Sequence, residues 1–500
     1  MKKRPMGALN FIFDCQKHQA RQRINITDMS HDHKHISRRK FLGTASCAAI
    51  GTTTFFSTLF NLGMANAAAS RTAKSAVALG GGDYKAMVCI LLAGGNDSFN
   101  MLVPRTGSAY DAYSITRSNQ ALAQNSLLPL TPLVGGQPDL GVHPAMPEVQ
   151  QMFDSGRLSF VSNVGTLVQP TTREQFFSES VPLPLGLFSH ADQIQQWQTS
   201  VPNSRSAFGW GGRMADILQD MNANQNISMS ISLSGRNVFQ SGNQTAEYTI
   251  RPSGTGSIGI DGYDGPDMID QIRTTAVNSL MEEQYTDVFK QTYAGVVKNA
   301  QDAHQQFSSA IGGVNLATTF SPSYLSQSMG MVAKTIAARE TLDVCRQTFF
   351  ITFGGWDHHD ELLNNQNAML GVVSKALGEF NAAMNELGLA DKVTTFTISD
   401  FARTLTSNGN GTDHGWGGNT IVMGGGVNGG QIFGQYPSLA LDSILDVGNG
   451  VLVPTTSTDE YFAELAQWFG VTNSDLTNIF PNLLNFYTPG GTPPIGFMQV

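Results

Sequence analysis

Charge is scarce in this 500-residue chain: Asp, Glu, Lys and Arg make up 14% of it, against about 25% in ordinary soluble proteins. Disordered chains and coiled coils are rich in charge. With 41% hydrophobic residues, both are excluded, as is a collagen-like repeat. Positive charge is scarcer still. The formal net charge is −9, so a nucleic-acid partner is not expected. Of the four cysteines, only Cys89 and Cys345 lie beyond residue 67, too few for a disulfide framework. Both sit in apolar, strand-like runs and are expected as buried free thiols, with one disulfide as the alternative in an oxidising compartment. No stretch beyond residue 67 approaches the ~18 uninterrupted apolar residues of a membrane span, so a soluble mature protein is expected.

What is present is unevenly placed. Residues 1–67 carry ten Lys and Arg against three acidic residues, and the remainder carries a net −16. Within the basic part, Ser37-Arg38-Arg39-Lys40-Phe41-Leu42 forms a twin-arginine signature. A stretch rich in Ala, Thr, Phe and Gly follows it, and Ala65-Asn66-Ala67 offers a small-x-small cleavage site. Glycines and threonines make that stretch a weak membrane span. The reading is a leader over 1–67 that sends folded cargo through the twin-arginine translocase to the periplasm or beyond. Residues 1–36 are an extended leader start or an upstream start codon.

In the remaining chain, apolar runs at Ala86–Leu92, Leu158–Val164, Gln347–Phe353, Val393–Ser399 and Thr420–Gly424 read as buried strands. Between them lie amphipathic patterns. One spans about 361–387 and stops at Gly388; another runs from Asp459 to Phe469 behind the capping pair Ser457 and Glu460. Apolar strands alternating with such helices predict an α/β fold with a mainly parallel sheet covered on both faces. The polar, Gly- and Ser-rich 226–265 suggests antiparallel strands, and 266–340 reads as helical. Together these make about 205–330 a cap inserted into a domain covering 84–500.

Three aspartates follow predicted strands: Asp97, Asp357 and Asp400. In a parallel sheet they would gather at the carboxyl edge, where such folds bind ligands. Unpaired carboxylates repel there, and a metal is the economical explanation. A helix N-cap is the bland reading of any one of them. Only six histidines lie beyond the leader, namely His143, His190, His304, His358, His359 and His414. Four of them stand near these aspartates or in glycine-rich turns, and imidazole with carboxylate is a usual zinc ligand set. Arg403, three residues past Asp400, would clamp an anion or make a surface ion pair.

Gly94-Gly95-Asn96-Asp97-Ser98, His143-Pro144-Ala145-Met146, Phe188-Ser189-His190, Gly354-Gly355-Trp356-Asp357-His358-His359, Ser399-Asp400-Phe401-Ala402-Arg403-Thr404 and Thr412-Asp413-His414-Gly415 occur in that order behind the leader. This set resembles an exported bacterial domain of unknown function that is grouped with alkaline phosphatases and sulfatases. The resemblance covers nearly all of 84–440. It implies an alkaline-phosphatase-like three-layer α/β/α sandwich and one or two divalent ions, zinc foremost. The ligands it implies are Asp97, Asp357 with His359 or His358, Asp400 and His414. It also makes Ser189 the nucleophile, beside His190. Two departures matter. Phe401 stands where alkaline phosphatases carry His and sulfatases Asn, leaving one metal site a ligand short, and the sulfatase Cys-x-Pro-x-Arg motif is missing.

The expected activity is therefore metal-dependent hydrolysis of a phosphate or sulfate ester, on a small anionic ester or a polysaccharide. The alternative is a non-catalytic envelope protein that keeps the fold and binds polysaccharide or a protein partner. A Gly-Asp-Ser type esterase, suggested by Asn96-Asp97-Ser98, ranks last because no late Asp-x-x-His is evident.

Overall fold

The computed structural model describes residues 84–499; the expected leader, with Arg38, Arg39 and the expected cleavage site at Ala65–Ala67, lies outside the described residues. Fourteen strands follow one another here. β1 is Lys85–Ala93, and β2 (Leu102–Pro104), β3 (Leu128–Pro129) and β4 (Leu140–Val142) form a small antiparallel sheet. β5 (Leu158–Gly165), β6 (Ser230–Ser232), β7 (Tyr248–Thr249), β8 (Arg346–Gly354) and β9 (Val393–Ser399) lead to a hairpin, β10 (Arg403–Ser407) with β11 (Thr412–His414). β12 (Gly418–Gly424), β13 (Ile432–Gly434) and β14 (Thr456–Ser457) complete the set. The helices used below are α1 (Gly107–Arg117), α2 (His190–Thr199), α3 (Trp210–Leu218), α4 (Met268–Glu282), α5 (Val288–Gly312), α6 (Tyr324–Ala337), α7 (Leu362–Glu386) and α8 (Thr458–Phe469).

The main sheet has the order β13-β5-β12-β9-β1-β8-β6-β7, with β14 also paired to β5. β1 pairs parallel with β8 and β9, while β12 runs antiparallel to both of its neighbours, β5 and β9. The other strands of the sheet thus share one direction, and their carboxyl ends share one edge. β1 shows why the sheet is buried on both faces. Ala86, Val88, Ile90 and Leu92 pack on one side with α6, α7 and the end of α5. Met87, Cys89 and Leu91 pack on the other with Trp197 of α2, α3 and α8. This is the expected three-layer α/β/α sandwich.

The middle of the chain differs from its sequence reading. β6 pairs parallel with both β7 and β8, so the strands expected to be antiparallel extend the main sheet instead. Of the stretch 205–330, α3 packs on one face of that sheet and α6 begins on the other. The α4–α5 hairpin is the part that stands out, since none of the α4 side chains is buried. Neither Cys89, which is buried, nor the half-buried Cys345 is in a disulfide. No described helix is long and apolar enough to cross a membrane. His143 is buried, and its Nδ1 accepts the Ala145 amide at 3.1 Å; burial pushes its pKa down to about 4.

One core group carries a stability signature. Asp459, in the first turn of α8, is buried with neither carboxylate oxygen hydrogen-bonded, and burial raises its pKa from 3.8 to about 8. Below the lower value both folded and unfolded chains hold the proton, and the contribution is complete. Between the two values only the folded chain holds it, so stability should fall as pH rises, by up to about 1.4 kcal/mol per pH unit, and level off above the higher one. Urea unfolding at several pH values should show this slope, and Asp459→Asn should flatten it. An unchanged slope in the variant would assign it to other groups.

Candidate metal centre

Four loops meet at the carboxyl edge. The one after β1 turns at Gly94 and Gly95, with φ of 120° and 87°. A Cβ on Gly94 would lie 2.5 Å from the Asp357 amide nitrogen, and one on Gly95 would lie 2.5 Å from the Phe401 ring. Glycine is required at both positions because this loop packs flat against the loops after β8 and β9.

Asp357, in the loop after β8, is the hub. Its Oδ1 accepts a 2.6 Å hydrogen bond from Arg403 Nη1 and lies 3.0 Å from His359 Nε2 and 3.5 Å from His414 Nε2. His359 Nε2 and His414 Nε2 are 3.1 Å apart. The other carboxylate oxygen, Oδ2, faces His190 Nε2 at 3.4 Å. His190 opens α2, which the Ser189 hydroxyl caps by accepting the Asp192 amide. His414 ends β11, whose partner β10 begins at Arg403.

The other nitrogen of each ring is anchored. His190 Nδ1 lies 2.7 Å from Asp400 Oδ2, His414 Nδ1 lies 2.8 Å from the Phe188 carbonyl oxygen, and His359 Nδ1 lies 3.1 Å from Asp413 Oδ1. Each acceptor holds the ring proton on Nδ1, so the Nε2 lone pairs point at one another and at Asp357. Bare lone pairs 3.1 Å apart beside a carboxylate repel; a cation between them removes the repulsion. The Phe401 ring forms the floor, with its centroid 4.8 Å from that of His190 and 4.5 Å from that of His414.

Electrostatics agree with that tautomer pattern. Burial lowers the His414 pKa and so favours the neutral, ligating ring. Burial works against the Asp357 carboxylate, yet Arg403, His359 and His190 hold its pKa below the ordinary carboxylate range. Burial pushes Asp400 up, while the Gly94 amide at 3.0 Å and His190 pull the other way. Two nitrogens and a carboxylate with anchored rings fit a borderline divalent ion such as zinc. His190, Asp357 and His414 each place a ligand atom within 4.8 Å of the others, and His359 stands closer still to Asp357.

The profile of a family described as "protein of unknown function (DUF1501)" matches residues 84–480. The chain belongs to that family. No curated protein matches it. Among solved structures, it is similar to the lipoteichoic acid synthase LtaP from Listeria monocytogenes, at 8% identity over 84% of this chain and 81% of that one, with a TM-score of 0.31. The PsFucS1 sulfatase from Pseudoalteromonas sp. is 11% identical over 84% and 72%, with a TM-score of 0.32. Ps i-CgsB in complex with k-i-k-neocarrahexaose is 9% identical over 81% and 77%, also with a TM-score of 0.32.

In this DUF1501 member the residues expected as ligands separate into two groups. Asp357, His359 and His414 come together. Asp97 does not join them: it is fully buried in an ion pair with Arg117 at the end of α1, and Gln366 of α7 donates to its carbonyl at 2.5 Å. His358 turns away as well. It is buried against Trp356, with neither ring nitrogen hydrogen-bonded, while its backbone carbonyl accepts from the Thr412 amide of β11. Asp400 stands behind His190 rather than facing the centre. Arg403 is buried as well, and its nitrogens donate to Asp357, Gly94, Thr412 Oγ1 and the Thr412 carbonyl. It is therefore neither the surface ion pair nor an unengaged guanidinium, because its hydrogen bonds run to Asp357 and to the backbone around it.

Sequence reasoning missed Asp413 and the Phe188 carbonyl. Phe188 has a left-handed φ of 72°, costly for a bulky residue, and this turn delivers its carbonyl to His414. Asp413 neighbours His414 on a strand, where adjacent side chains point to opposite faces; sequence spacing alone argues against their sharing a site. Asp413→Ala should weaken metal affinity about 10-fold, the lower end for the loss of a ligand's hydrogen-bond partner, because the pair is exposed. Calorimetric zinc titration measures this, and unchanged affinity would leave His359 outside the ligand set.

Proposed function

We propose that the protein is an exported, metal-dependent hydrolase of phosphate or sulfate esters, with Asp357, His359 and His414 as the ligands of one divalent ion, zinc foremost. The observation that carries this reading is the convergence of His359 Nε2 and His414 Nε2 on Oδ1 of Asp357, both rings anchored through Nδ1 as ligating histidines are. When bound, the ion supplies Lewis-acid charge to a phosphoryl or sulfuryl oxygen. The chain's own residues orient the reaction. Arg403 fixes Asp357, Asp400 fixes His190, and the Phe401 ring keeps water from the floor. Export through the twin-arginine translocase, read from Arg38 and Arg39, would deliver the folded domain to the periplasm.

Two observations favour the second reading, a non-catalytic envelope protein that keeps the fold and binds polysaccharide or a protein partner. The guanidinium within the cluster, Arg403, is engaged with Asp357, and Phe401 fills the floor where a second ion would need a ligand. Metal analysis of the purified exported protein, beside a panel of aryl phosphate mono- and diesters and sulfate esters, separates the two. A stoichiometric ion with ester turnover that His414→Ala abolishes supports the hydrolase. An ion without turnover on any ester supports the second reading, and a metal-free protein that zinc does not bind ends the hydrolase.

A further inference from the structure

Two histidines, His359 and His414, share Oδ1 of Asp357 with Arg403, whereas His190 alone faces Oδ2. His190 is also the one ring anchored on a fully buried carboxylate, at 2.7 Å. Although His190 lies within ligand reach of Asp357 and His414, we infer that it serves as the nucleophile and not as a ligand, and that the substrate is a phosphate ester, from which His190 Nε2 takes the phosphoryl group. This rests on the hydrolase reading and names the group that reacts.

Three features of the site support the assignment. The hydroxyl beside it, Ser189 Oγ, is turned to the Asp192 amide as the N-cap of α2, while His190 Nε2 points at the centre. Asp400 receives the Nδ1 proton, fixes the tautomer and would stabilise positive charge on the ring as Nε2 forms a bond, the role of a carboxylate behind a catalytic imidazole. Asp400 is itself held by the Gly94 amide at 3.0 Å, so the pair cannot swing away. His190 is also the first residue of a ten-residue helix, where the backbone dipoles favour a transferring anion.

The step balances without a redox partner. The Nε2 lone pair forms an N–P bond as the ester P–O bond breaks, and the leaving alcoholate takes a proton from water, the hydroxide so formed taking up the proton that the second water releases below. A second water then bonds to phosphorus, the N–P bond breaks, and inorganic phosphate leaves with His190 neutral again. Sulfate esters would be poor substrates by this route.

The zinc-loaded, exported protein should be incubated with p-nitrophenyl phosphate, quenched in alkali, and measured by intact mass and peptide mapping. The expected result is an adduct of one phosphoryl group on His190, stable in alkali and lost in acid. His190→Gln should lose both adduct and turnover but keep the parental zinc content, while His359→Ala should lose zinc. Loss of zinc in His190→Gln would make it a ligand and overturn the assignment. An acid-stable adduct on Ser189 would overturn it too, as would turnover with no adduct at either residue. In those three outcomes the hydrolase reading survives. A protein that binds zinc yet turns over sulfate esters alone would overturn only this assignment, and one that turns over neither phosphate nor sulfate esters would overturn both.

Discussion

His414→Ala should leave the purified protein with almost no bound metal. The weakening should exceed about 100-fold, since losing only a hydrogen-bond partner of a ligand already costs about 10–100-fold. His414 Nε2 lies 3.1 Å from His359 Nε2 and 3.5 Å from Asp357 Oδ1, so its removal opens one side of the ligand set. Thermal unfolding gives the second readout. A bound ion stabilises only the folded chain, by about 4 kcal/mol when free metal stands a thousandfold above its dissociation constant. Chelator should therefore lower the unfolding temperature of the parent and leave that of His414→Ala unmoved. Parental metal content in His414→Ala would remove the metal from the argument, and with it the hydrolase.

Asp97→Asn should do the opposite: collapse stability and spare the metal. Asp97 and Arg117 have fully buried side chains in contact with one another. Arg117 also donates to Asn100 and to the Thr404 and Leu405 carbonyls, but none of these carries the compensating charge. Removing one partner of a buried pair leaves an uncompensated ion, at a cost of about 3–5 kcal/mol. Urea unfolding measures the loss and elemental analysis the metal. The pair ties the loop after β1 to the end of α1, so the variant's damage should spread through that corner. Loss of metal from an otherwise stable Asp97→Asn would restore Asp97 to the ligand set.

The fold was legible where both faces of a strand are buried. β1, β8 and β9 are runs that no exposed strand would tolerate, and Gly388 and Gly470 mark where α7 and α8 stop. It was not legible at 226–265. There the polar alternation that suggested antiparallel pairing belongs to β6 and β7, strands of three and two residues at one end of the sheet, too short for the sequence to specify their direction. In the site, Asp357, His359 and His414 were readable because few histidines exist and these stand at strand ends. Asp97 shared that signature, and only the position of Arg117, twenty residues on, shows that its charge is needed inside the fold. His358 and His359 are adjacent, and nothing in the pair itself says which ring turns outward. The structure shows it: His358 is buried beside Trp356, and His359 lies beside Asp413 and Asp357.

The reversed strand β12 has a consequence for how this site can change. Because β9 ends and β12 begins at the same edge, the chain crosses from one to the other without a helix, through the β10–β11 hairpin alone. Asp400, Phe401, Arg403, Asp413 and His414 are all threaded on that one short span. It behaves as a single casting: an insertion there would displace the carboxylate behind His190, the floor, the Asp357 anchor and a ligand at once. The segment 169–187 carries none of these residues, although Thr166 to Val168 before it are buried and tied down. New substrate preferences should therefore be written into 169–187, and length changes between 400 and 414 should be incompatible with a working centre.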